Sequence, residues 1–317
     1  METAPRPQHP WHKHGRLFLP DGTLPWSRSY ALIPTPVVAS DGVARVYYST
    51  LDDRMRGSVG YFDVEASPSP KVVFSSKEPC LTPGPIGLFD DSGVNASSVV
   101  EWNGETLLYY IGWQRAEMVP YLLFSGVASK GAGASGPFVR KQPTPVLDRI
   151  ASEPYIRSAP FVLNLGGYLR AWYVCGEGWI HLEGRQYPRY GVRTAISSDG
   201  ISWRDSSPAI RLEGEDEFGI GRPYVFKLNQ NFHMWYSVRS ISQPYRLGYA
   251  WSKDGVTWTR RDDLVGLNRS EAGWDGEMVC YPAVFASGSR LWMLYNGNRH
   301  GLSGIGIASM RIEDLLF

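Results

Sequence analysis

Cysteine is scarce in this chain. Three occur, Cys80, Cys175 and Cys280, an odd count with no CxxC pair. That pattern excludes a disulfide framework and a zinc-binding Cys array, and reads as buried reduced thiols. An excess of one charge sign is lacking too. Lys and Arg number 32 against 31 Asp and Glu, a formal net charge of +1. Such balance argues against a nucleic-acid or membrane partner. No run of 18 apolar residues is present. The polar, Pro-rich stretch Met1 to Pro10 has no apolar core of the signal-peptide kind, so the expectation is a soluble cytoplasmic protein. HExxH, the P-loop, the dinucleotide fingerprint and the GxSxG elbow are all missing. His181 and His233 show no metal-ligand spacing. No cofactor and no metal are expected.

What the chain does hold is aromatic: 12 Trp, 18 Tyr and 12 Phe. Aromatic residues favour strands and also stack on sugar rings. Gly 34 and Pro 23 indicate many turns and few long helices. The strongest signal is an internal repeat. A Pro, once a Ser, precedes an apolar β-strand pair at Pro36-Val37-Val38, Ser98-Val99-Val100, Pro160-Phe161-Val162, Pro223-Tyr224-Val225 and Pro282-Ala283-Val284. The anchors stand 62, 62, 63 and 59 residues apart. A turn and an aromatic strand follow each one, as in Asn103-Gly104 before Thr106–Tyr110. Two further turns nearly match, Ser197-Ser198-Asp199-Gly200 through Trp203 and Ser252-Lys253-Asp254-Gly255 through Trp258. They read as structural hairpin clasps on the outer rim.

Five units of about 60 residues, with four short strands each, predict an all-β fold: a five-bladed β-propeller of antiparallel blades. A β-sandwich does not explain five equal units. The last unit yields only three strands, and the N-terminal Arg16–Leu19 is expected to close it, with residues 1–15 irregular. No composition shift marks a second domain, so residues 1–317 read as one.

In such a ring, the loops before each first strand and after each second strand gather at one end of the axis. They bring Asp91 and Asn95, Arg157, Glu217 and Arg222, and Glu277 and Tyr281 together from separate units. They add Trp113, Arg239, Asn296, Asn298 and His300. Carboxylates, Arg, Asn and rings suit a polyol, whose hydroxyls need partners and whose apolar face needs a ring. The structural readings compete with this one: salt bridges from each Arg to Glu153, Glu217 or Asp216, and a satisfied loop role for His300.

The repeat pattern resembles the five-bladed propeller glycoside hydrolases, such as families 43, 32 and 130, over nearly the full chain. The run Trp274-Asp275-Gly276-Glu277-Met278-Val279-Cys280-Tyr281-Pro282, with Leu294-Tyr295-Asn296-Gly297-Asn298, also resembles propeller proteins of polysaccharide gene clusters. The resemblance implies an enzyme that cleaves or transfers a glycosidic bond as hydrolase, phosphorylase or transferase. In it, acids at the starts of separate blades act as acid and base. The matching candidates are Asp91, Glu217 and Glu277. The substrate-binding candidates are Asn95, Trp113, Arg157, Arg222, Arg239, Tyr281, Asn296, Asn298 and His300. One departure is visible: no Asp-Pro opens the first blade, where Tyr30 to Pro36 stands. The alternative is a non-hydrolytic propeller that binds a glycan or a biosynthetic intermediate. Several Arg residues at the axis suit a small molecule or oligosaccharide bearing an anionic group.

Overall fold

The structure, a computed structural model, describes residues 8–40 and 42–315. It is all-β. The chain opens with β1 (His12–Phe18), then forms β2 (Ser29–Ser40), β3 (Val43–Leu51), β4 (Gly57–Glu65) and β5 (Lys71–Ser75) as an antiparallel meander. A second meander follows: β6 (Gly93–Trp102), β7 (Glu105–Arg115), β8 (Tyr121–Gly131) and β9 (Val139–Arg140). The third is β10 (Arg157–Asn164), β11 (Leu169–Leu182), β12 (Arg185–Ser197) and β13 (Arg204–Ile210). The fourth is β14 (Glu217–Leu228), β15 (Asn231–Ser240), β16 (Arg246–Ser252) and β17 (Thr259–Arg260). The chain ends in β18 (Cys280–Ser287), β19 (Arg290–Asn296) and β20 (Ile305–Arg311).

Strand β1 supplies the fourth member of this last sheet. It runs antiparallel to β20, with His12 opposite Ser309 and Phe18 opposite Ile305. The closing strand therefore starts at His12, and the irregular N-terminal segment expected over 1–15 is shorter than the composition suggested; of it, residues 1–7 lie outside the described residues. Single parallel bridges, Gly57 to Gly93 and Tyr190 to Gly219, join the meanders in pairs. Innermost strands touch in cyclic order: β2 on β6, β6 on β10, β10 on β14, β14 on β18, and β18 on β2.

The strand register corrects two anchors. Each innermost strand carries a bulge, between Leu32 and Thr35, Ala96 and Ser98, Ser158 and Phe161, Gly221 and Tyr224, and Cys280 and Ala283. The equivalent positions are therefore Pro34, Ser97, Pro160, Pro223 and Pro282, not Pro36 and Ser98 in the first two units. The first four then recur every 63 residues. A proline excludes the residue before it from the right-handed α region. At Ile33, Ala159, Arg222 and Tyr281 the chain answers with φ of 53, 52, 52 and 54°. The second unit has no such proline, and Ala96, the residue before Ser97, shows no positive φ. The repeat is thus a bulge signal, and the residues at the strained positions, Ile33, Ala159, Arg222 and Tyr281, all line the inner cavity described below.

Half of the aromatic residues are buried in the core. Trp172, Trp235, Trp292 and Tyr48, Tyr110, Tyr173, Tyr236 and Tyr295 are fully buried between sheets. Burying one large apolar side chain contributes about 1.5–3 kcal/mol. The two Asp-Gly turns clasp neighbouring units. The Tyr109 hydroxyl donates to Gly200 O at 2.8 Å, and Trp172 Nε1 donates to Gly255 O at 2.9 Å. Gly200 and Gly255 take φ of 80 and 71°, which a side chain would strain.

Candidate functional site

The acids that precede the innermost strands are held in a repeated clasp. The fully buried Asp90 accepts from Tyr110 at 3.0 Å and from Arg140 Nε at 2.8 Å. Buried Glu153 accepts from Arg157 (2.6 Å), Tyr173 (2.7 Å) and Ser206 (2.6 Å), and pairs with Arg193 at 3.0 Å. Buried Asp275 accepts from Tyr295 at 3.1 Å and pairs with Lys13 at 2.7 Å. In each case acid and Tyr stand 20 residues apart.

Glu217 plays the same part in the fourth unit. Its oxygens take Arg246 (2.9 Å), both Nη atoms of Arg260 (2.7 and 2.5 Å) and the Glu213 amide (2.9 Å). Burial pushes the Glu217 carboxyl up, but Arg260, the Glu213 amide and Arg246 outweigh it and hold the pKa below the usual carboxylate range. Glu153 is likewise held low: burial raises it, and Ser206, Tyr173, Arg157 and Arg193 together overcome that.

Of the three carboxylates expected to be catalytic, none lines a cavity described below. Glu217 is locked as a structural anion. Asp91 accepts from the Gly87 amide (2.9 Å) and the Ser92 hydroxyl (3.0 Å), which shapes its own loop. Glu277 is exposed. Arg157 is bound to Glu153 and to Asp148 O at 2.7 Å. Asn296 is buried and latches the last unit to the first, accepting from Ile33 N at 2.9 Å and donating to Ala31 O at 2.5 Å. Asn298 accepts from Glu277 N (2.8 Å) and donates to Gly273 O (2.9 Å), so it shapes the loop before β18.

The structure does bring the remaining candidates together. An inner cavity of about 300 Å³ receives residues from all five units, among them Ile33, Asn95, Trp113, Ala159, Arg222 and Tyr281. Among the described residues, no Asp or Glu lines it. Arg222 reaches across to the first two units, donating to Ser97 O (2.6 Å), Pro34 O (2.9 Å) and Thr35 Oγ1 (3.0 Å). Burial pulls its pKa down to about 10, so it stays protonated at neutral pH.

An outer cleft of about 700 Å³ adjoins the cavity and shares Tyr121, Tyr245 and Tyr281 with it. Two hairpin tips, Glu117–Tyr121 and Gly184–Tyr187, form its walls, with Arg239 and His300 at its base. Arg239 is buried and has no carboxylate partner among the described residues. It lies over Phe218 (4.5 Å), Tyr187 and Tyr245 (both 5.3 Å) and Tyr190 (5.7 Å), and its Nη1 donates to the Tyr190 hydroxyl at 3.2 Å. An aromatic box holds a guanidinium without neutralising it. His300 is reached by solvent through the mouth, while its ring packs edge-on against Tyr245 at 4.9 Å. That crowding, and then the Arg239 charge, push its pKa below the ordinary value. Arg299 and His300 both sit at positive φ, 53 and 60°, strain of the kind that clusters at functional sites.

The loop rule missed Tyr121, Tyr187, Tyr190, Tyr245 and Glu117. The first three lie on hairpins longer than the short strands expected from the sequence. Strands β7, β8, β11 and β12 run to 11, 11, 14 and 13 residues. Hairpins of that length rise above the sheets and wall a cleft.

The fold is that of the glycoside hydrolases and their phosphorylase relatives. A structure described as a glycoside hydrolase matches with TM-score 0.71 at 18% identity, over 94% of this chain and 91% of that one. A thermostable family-43 glycoside hydrolase matches at 0.65 and 17% identity, over 90% and 91%. A structure from work on the GH130 family of mannoside phosphorylases, with hydrolases that target β-1,2 mannosidic linkages in Candida mannan, matches at 0.69 and 12% identity, over 98% and 96%. No protein-family profile matches the chain. The chain belongs to the family of the uncharacterized protein Rv1502 of Mycobacterium tuberculosis. The two are 37% identical over 299 residues, which cover 94% of this chain and 98% of that protein.

Proposed function

We propose that the chain is one five-bladed β-propeller that binds a carbohydrate bearing an anionic group, a glycan or a biosynthetic intermediate, at its axis. The carrying observation is Arg239: a buried guanidinium with no carboxylate partner among the described residues, at the base of a cleft that opens onto a cavity lined by no described acid. A carboxylate, phosphate or diphosphate on the ligand supplies the missing counter-charge through the planar fork. Tyr121, Tyr245 and Tyr281 offer faces for a sugar ring. Cyclic contact of the innermost strands and closure by β1 support the ring reading. Hydrolysis by a carboxylate pair needs two acids facing one bond. The acids before the innermost strands are engaged elsewhere, which favours binding over hydrolysis.

A second reading, cleavage or transfer of a glycosidic bond, draws on the shared fold and on two groups in the cleft. Glu117 is its one lining carboxylate among the described residues, and His300 stands by Arg239. An anionic acceptor such as phosphate, held by Arg239, would attack in place of a base-activated water while Glu117 protonates the leaving oxygen.

A thermal-shift panel of neutral sugars, sugar acids, sugar phosphates and nucleotide sugars tests the first reading, because a ligand of the folded state raises Tm. A rise confined to anionic sugars and lost in Arg239→Gln is expected. An equal rise with neutral sugars, or none with any, overturns it. Phosphate-dependent turnover lost in Glu117→Gln would establish the second reading.

A further inference from the structure

The two compartments differ in chemistry, and the difference constrains the ligand beyond its charge. The inner cavity is walled by Leu32, Ile33, Leu51, Ile111, Leu123 and Val174. Its polar groups are few, and two of them, Asn95 Oδ1 and Arg222 Nε, are buried without a hydrogen-bond partner among the described residues. Ser158 donates to Phe124 O at 2.8 Å, and both Nη atoms of Arg222 donate to Ser97 O, Pro34 O and Thr35 Oγ1. A bare pyranose pushed to this depth could answer a hydroxyl or two at Asn95 and Arg222 but would set the others against aliphatic walls. Each hydroxyl that leaves water without a partner weakens binding roughly tenfold or more. The neck between the compartments is different. Tyr121, Tyr245 and Tyr281 line both, and rings there can cover a sugar's apolar face while its hydroxyls stay wet.

We infer that the inner cavity takes an apolar substituent of the sugar, an alkyl, O-acyl or aryl group, while the sugar ring sits in the tyrosine neck and its anionic group lies outward on Arg239. This rests on the anionic-sugar reading above and names the class: an amphiphilic glycoconjugate, with an apolar group and a charged group on different carbons of one ring. The cavity volume, about 300 Å³, sits at the lower end of small-molecule sites and limits the substituent to a short one.

The test is titration calorimetry of the full chain with methyl, propyl and pentyl β-hexuronides of the gluco, galacto and manno series, beside the matching neutral glycosides. In the series that binds, each added CH₂ should tighten Kd about fourfold until the cavity is full, with an increasingly negative heat-capacity change. Leu51→Phe and, separately, Leu32→Phe fill the cavity and should flatten that dependence. Arg239→Gln should weaken all lengths by one common factor, since the two ends act independently. Binding that depends on Arg239 but not on alkyl length overturns this inference and leaves the anionic-sugar reading intact. Length-dependent binding that ignores Arg239 and accepts neutral glycosides equally overturns the anionic reading. Failure of every compound to bind at millimolar concentration overturns both.

Discussion

Two regions of this molecule use the same residue types to opposite ends. Around Glu153 and Glu217, carboxylates, Arg, Tyr and Ser meet in closed sets, every acid oxygen answered by a donor. In the outer cleft, Arg239 meets four rings and, among the described residues, no acid. Closed sets join strands within a unit to the loops beside it. The open charge is what a ligand can complete. The lesson is that a carboxylate near an axis marks a site only if nothing in the protein already neutralises it.

The sharpest way to break this comparison is to cut each region once. Glu153→Gln leaves Arg157 and Arg193 without their anion, and removing one partner of a buried pair costs about 3–5 kcal/mol. Thermal unfolding should show a fall in Tm of about 5–8 °C, with Glu217→Gln close behind. Arg239→Gln should leave Tm nearly unchanged and cost about 10–100-fold in affinity for an anionic sugar, the worth of a charged hydrogen bond. If the Arg239 variant unfolds early while the Glu153 variant does not, the assignment of roles is inverted.

Acid titration sharpens the same contrast. Glu153 and Glu217 have depressed pKa values in the folded state. Their contribution is present above the unfolded glutamate value of about 4.3 and is lost as pH falls through the lower folded values. Stability should drop steeply below about pH 4, and the drop should be shallower in Glu217→Gln. His300 is neutral at pH 7 because its pKa is lowered. A bound anion favours its protonated form, so affinity should rise modestly from pH 7 to 5, and His300→Gln should remove the slope. The smallest effects belong to Asp91→Asn and Glu277→Gln, which should change binding by less than about threefold. A large loss in either would restore them as candidates.

Much of the fold could be read in the chain, and less of the site. The spacing of prolines and aromatic strands foresaw the meanders and the N-terminal strand in the last sheet. It misplaced Pro36 and Ser98 because the bulges between Leu32 and Thr35 and between Ala96 and Ser98 shift the register, which a match of short apolar motifs does not show. Salt bridging of Arg157 to Glu153 was foreseen as a structural reading, but its repetition was not, though an acid followed 20 residues later by Tyr recurs at Asp90, Glu153 and Asp275.

Strand order, hairpin turns and the places where bulges strain the backbone were set by the sequence itself, since these follow from local dihedral preference and a short repeat. Only the tertiary structure decided which charges are cancelled. Partners such as Lys13 and Asp275, or Arg260 and Glu217, lie 262 and 43 residues apart, and electrostatic neutrality depends on distances in space that no local pattern encodes.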